Sequence, residues 1–133
     1  MLFRSKANPA SEGVNLSLKN WNEQMTLPQI FEANDKWNVL RADRIGDEFG
    51  IQYIIKAGGN EYQRINEMAA TKASFILPLN FPAPMDVEDA NNGRYISLED
   101  LRHCQAAPFA PAIFEKNKIP FCLTVADLKD PKE

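Results

Sequence analysis

The sequence predicts an α/β fold in which parallel strand–helix repeats form a partial, half TIM-barrel-like sheet of about four strands. Three observations lead there. Four short apolar runs recur along the chain: Gln29–Glu32, Ile51–Ile55, Ser74–Leu77 and Phe121–Thr124. The first three start 22 and 23 residues apart (29, 51, 74), and the fourth follows after about twice that. Such a period holds one strand, one helix and two short loops. The runs are also apolar at nearly every position instead of alternating, the pattern of strands covered on both faces of a parallel sheet with right-handed crossovers. Finally, the intervening segments carry helical spacing and helix punctuation.

Residues 1–14 are polar and rich in small residues, with Asn8-Pro9 and Glu12-Gly13 as breakers, so an irregular arm is expected. Residues 15–26 read as a short helix with Leu16, Leu18, Trp21 and Met25 toward a core. Pro28 opens the first strand. A helix over 36–49 follows, capped by Asn34 or Asp35, with Val39, Ala42, Ile45 and Phe49 on one face and Gly50 as its stop. The second strand, 51–56, runs into Lys56-Ala57-Gly58-Gly59. Asn60 is the expected cap of a second helix whose inner face is Tyr62, Ile65 and Met68 or Ala69. The third strand spans 73–79.

Residues 81–96 read as a long loop with three acids, Asp86, Glu88 and Asp89, and the turn Asn91-Asn92-Gly93. Those acids lack the spacing of a calcium loop, so a solvated loop is expected. Ser97 and Asp100 form a capping-box pattern for a helix of about 97–105. Pro111 opens a second short helix to about 116, and Asn117-Lys118 turns into the last strand. The whole reads as one domain, 1–133: arm 1–14, repeat core 15–127 and tail 128–133.

Bulk composition excludes several classes. With 15 Lys and Arg against 18 Asp and Glu, the formal charge of −3 offers no polybasic surface for nucleic acid or membrane. No apolar run reaches roughly 18 residues, so no membrane span is expected. Met1–Lys6 lacks the apolar stretch of a signal peptide. Two cysteines, Cys104 and Cys122, are too few for a disulfide scaffold, which points to the cytoplasm. Cys122, inside a strand, is expected to be buried.

Residues 31–50, FEANDKWNVLRADRIGDEFG, resemble the fifth-strand region of the amidohydrolase superfamily, among its imidazolonepropionase-like and prolidase-like enzymes. The pattern there is roughly V-H-A-H-R-A-D-D-I…A-x-R-I-A-x-E-F-G, and the spacing matches through Ile45, Glu48, Phe49 and Gly50. IQYIIKAGGNEYQRINEMAATKASFILPLN is similar to the sixth strand, sixth helix and seventh strand, and FEKNKIPFCLTVADL to the stretch before the last strand. The likeness spans about residues 15–130.

The resemblance implies half of a (β/α)8 barrel built for metal-assisted hydrolysis of C–N bonds, in which a divalent ion such as zinc lowers the pKa of its bound water. The family's ligand positions, however, fall on Glu32, Asn34 and Gly58 (or Ala57), and near Ala126 or Asp127. The single histidine, His103, lies in an expected helix. The implied metal site is therefore absent, with no cofactor expected. A complete barrel takes about 250 residues, so the chain reads as a segment of a longer barrel protein. The expected function is that of a catalytically silent structural or assembly part of a larger hydrolase-like protein.

A half barrel also leaves one sheet face and two edge strands uncovered, which implies self-association or pairing with a missing barrel half. Two further possibilities remain at this level. One is a small module binding an anion at Gly58, Gly59 and Asn60, where a helix starts. The other is a metal-independent hydrolase using Glu32 or Asp127 as base, with Asn34 and Lys56 beside it at the strand ends. Lys56 could equally pair with a nearby carboxylate, Glu61 reads as a dipole partner, and adjacent His103 and Cys104 diverge too far on a helix to form a dyad.

Overall fold

The computed structural model of the chain describes residues 15–83, 85, 91–126 and 128, without the side chain of Asn92. In chain order the elements are α1 (Leu16–Gln24), β1 (Gln29–Glu32), α2 (Lys36–Phe49) and β2 (Tyr53–Lys56). A 3-10 turn, Glu61–Arg64, leads into α3 (Ile65–Thr71) and β3 (Ser74–Pro78). Then come α4 (Leu98–Ala106), α5 (Ala110–Lys116) and β4 (Phe121–Thr124). The strands form one sheet in the order β1-β2-β3-β4, and every pairing is parallel. No described helix is long and apolar enough to cross a membrane.

Local chemistry explains the boundaries. Asp35 caps α2, its Oδ1 accepting from Trp37 N at 2.7 Å and Asn38 N at 2.9 Å. Gly50 ends the same helix in the left-handed region at φ 67°. Ser97 caps α4 through Asp100 N at 3.0 Å, and its hydroxyl donates to the Asp100 carboxylate at 2.6 Å. Asn60, by contrast, does not cap its own helix; its Oδ1 accepts from Lys36 N at 2.9 Å and fastens the turn after β2 to the start of α2.

Sequential strand order with right-handed crossovers places the connecting helices on one side of the sheet. That side carries Phe31, Tyr53, Ile55, Phe75, Leu77 and Phe121, in register across the strands. Ile55, Phe75 and Leu77 join Val39, Met68 and Phe114 in a single buried cluster. Phe75 meets Phe114 edge-on at 5.2 Å and 75°. That geometry adds about 0.5–1.5 kcal/mol beyond the area the two rings bury.

The opposite side carries Ile30, Ile54, Ile76 and Cys122, alternating with the first set. Ile30 is 66% exposed, Ile54 and Ile76 are half-buried, and Cys122 is exposed. Coverage on both faces, expected from the continuous apolar runs, is thus corrected to one face, and the burial expected for Cys122 is lost with it. An apolar run marks a strand by residue type, but it does not say how many layers cover it.

Two helix faces also differ from expectation. On α2, Val39 and Ala42 are buried, but Ile45 and Phe49 are exposed; Gly46 takes the inner position instead. A Cβ on Gly46 would lie 2.4 Å from the Ile51 carbonyl oxygen, so glycine lets α2 press against the entry to β2. On α1, Leu16 and Trp21 are exposed and no residue is fully buried. Asp86, Glu88 and Asp89 lie outside the described residues, as do the arm and most of the tail.

Candidate functional site

The C-terminal ends of the strands hold most of the residues singled out from sequence. Glu32 and Lys56 are register partners at the ends of β1 and β2, and Lys56 Nζ lies 2.9 Å from Glu32 Oε1. The Glu32 side chain is 63% exposed, so this surface pair stabilises by about 0–1 kcal/mol. Asn34 is exposed, and its backbone comes close to Gly58. A Cβ at position 58 would sit 2.2 Å from the Asn34 carbonyl oxygen, so only glycine lets the two loops meet. Asp127 lies outside the described residues.

The turn Gly58-Gly59-Asn60 is organised around a residue that sequence reading set aside. Glu61 is 1% exposed. Its Oε1 accepts from Gly58 N at 2.7 Å and its Oε2 from Gly59 N at 2.8 Å. The chain's own carboxylate therefore fills the cradle of amides that an external anion would need. Among the cations in this part of the chain, Lys56 pairs with Glu32, Lys36 Nζ bonds to Gln63 Oε1, and Arg64 pairs with Glu67 at 2.6 Å with its guanidinium 4.1 Å above the Trp37 ring. None of the described ion pairs includes Glu61.

Beside this turn stands His103, from α4. Its ring stacks on Tyr62, with centroids 5.9 Å apart and planes 4° from parallel, and Nδ1 is 2.8 Å from Tyr62 Oη. That hydrogen bond uses one ring nitrogen and fixes the ring plane, leaving Nε2 as the second polar atom. Cys104 turns away, with Sγ 4.0 Å from the Ala83 carbonyl oxygen. Glu61 and His103 both line a cavity of about 120 Å³, together with Gly58, Gly59, Asn80 and Phe114. The cavity lies on the helix side of the sheet, under α4 and α5.

Two carboxyls outside this cavity have displaced pKa values. Burial, and then the charge of Asp47, pushes Asp43 up. A bond from its own backbone N–H, and then Arg64, holds Glu67 down.

The zinc ion that the amidohydrolase likeness implies does not fit here. Gly58 has no side chain, Glu32 is engaged by Lys56, and Asn34 is exposed and meets Gly58 through its backbone. Among the described residues, no three His, Cys, Asp or Glu side chains converge as a metal site requires. Sequence reasoning missed Glu61 and the His103–Tyr62 pair. The signal for Glu61 was present: a carboxylate two and three residues after consecutive glycines can fold back onto their amides. The His103–Tyr62 contact joins residues 41 apart and left no local trace.

Comparison with known proteins gave no matching family model, no matching curated protein and no matching solved structure.

Proposed function

We propose that this chain is a catalytically silent half barrel that works by assembly, and that its partner is a second copy of itself. The single observation that carries this is the one-sided sheet. Four parallel strands carry their helices on one face and leave Ile30, Ile54, Ile76 and Cys122 on the other. Eight strands close a barrel whose interior side chains can just fill, and two copies of a four-stranded sheet supply eight. In such a dimer β4 of each copy runs beside β1 of the other. Both open edges and both open faces are then covered by one two-fold operation.

The amidohydrolase-like pattern at Phe31–Gly50 supports descent from a hydrolase barrel whose catalytic groups have been replaced. The alternatives lack comparable support. An anion at Gly58–Asn60 would have to displace Glu61, and Glu32 as a base would first have to leave Lys56.

Sedimentation or light scattering tests the proposal. The expected mass is twice the 15.0 kDa of one chain. Ile30→Glu, at a position already 66% exposed, should leave the fold intact and yield a monomer. A wild-type protein that stays monomeric at every concentration sinks the proposal. So does stable association with a different chain in place of the second copy.

A further inference from the structure

We propose that the cavity beneath α4 and α5 binds a small ligand carrying a protonated primary amine, with the ammonium group seated on Glu61. This is independent of the assembly reading, because the cavity is on the helix side of the sheet and not on its open face.

Buried charge carries the inference. Buried ionised groups are paired or hydrogen-bonded, because leaving one alone in a low-dielectric interior is strongly unfavourable. Glu61 is 1% exposed and receives two amide N–H groups, one on each oxygen, but no described cation completes it. Each carboxylate oxygen has a second lone pair, and Glu61 lines the cavity. A cation entering there meets a fixed, oriented anion whose amide bonds already hold it in place.

The rest of the cavity suits a short aliphatic body. Phe114, Leu77, Ala107 and Ala110 give an apolar wall, and His103 lines the cavity near the same turn. Tyr62 holds the imidazole by Nδ1, so Nε2 is the nitrogen left for a ligand. A volume of about 120 Å³ admits roughly five or six heavy atoms.

Three isosteric probes test this on the full chain: n-butylamine, n-butanol and butyrate, each titrated at neutral pH against the backbone amides of Gly58 and Gly59 and the ring of His103 by NMR. Butylammonium should shift these resonances saturably. Butanol should bind about tenfold more weakly or worse, and butyrate should not bind. Glu61→Gln should erase the preference for the amine over the alcohol, and Ala107→Leu should block both by filling the cavity. If either variant fails to fold, the ratio of amine to alcohol on the unaltered chain decides alone. Absence of saturable binding by the amine, or equal binding of amine and alcohol, overturns the proposal.

Discussion

A methyl group at position 58 would press into the peptide of Asn34, its carbon 2.2 Å from the carbonyl oxygen. The neighbour is backbone and cannot rotate aside. Gly58→Ala should therefore destabilise the fold by about 1–3 kcal/mol, read as a lowered urea midpoint. Glu61 acts on the same turn from the other side. Glu61→Ala would remove the partner of the part-buried Gly58 and Gly59 amides, with a loss of about 1–3 kcal/mol. Asp43 gives the opposite sign. Its folded-state pKa is raised by burial and by Asp47, so the fold favours the protonated form. That contribution is present below the unfolded pKa and is lost as pH rises through the folded one. Asp43→Asn should then raise the melting temperature at neutral pH and change nothing below about pH 3.5. Thermal scans of both proteins at the two pH values check this.

Helix α2 separates what local chemistry determines from what tertiary contact determines. Its bounds, 36–49, were readable because Asp35 and Gly50 mark its ends by backbone chemistry alone. Asp35→Ala should remove about 1 kcal/mol, measured by denaturation. Its buried face was misread because hydropathy gives weight to Ile45 and Phe49 and none to Gly46. The helix is instead turned by a close approach to Ile51, for which the absence of a side chain is the qualification. The strands follow the same division. Period and residue type placed all four within two residues, since each is an apolar run between turn residues. Which face meets a helix depends on crossover handedness and on how many layers the chain itself provides, and no single run encodes that. At the site, Glu32 and Lys56 were legible as strand-end residues because register brings equivalent ends together. Glu61 was not, because its role depends on a turn that folds a carboxylate back onto two amides.

At the scale of the whole molecule, protection of the sheet tests the assembly. In one copy the inner strands are paired on both sides, as with Ala57 N donating to Ile76 O at 2.9 Å and Ala33 N to Lys56 O at 2.9 Å. Among the described residues, the outer edges of β1 and β4 have no partner strand. Amide hydrogen exchange of Ile30→Glu should show rapid exchange at outward-facing amides of β1 and β4, and the unaltered protein should slow them. Equal rates in the two proteins would count against barrel closure. The order β1-β2-β3-β4 has one more consequence. Each strand pairs with the one made just before it: Gln29 with Tyr53, Ile54 with Ser74, Phe75 with Phe121. A chain leaving the ribosome can thus add strands to a growing edge in the order of synthesis. The first two pairings wait for 24 and 20 residues, the third for 46. At about 5–20 residues per second, that last wait exposes the bare edge of β3 for roughly 2–10 s.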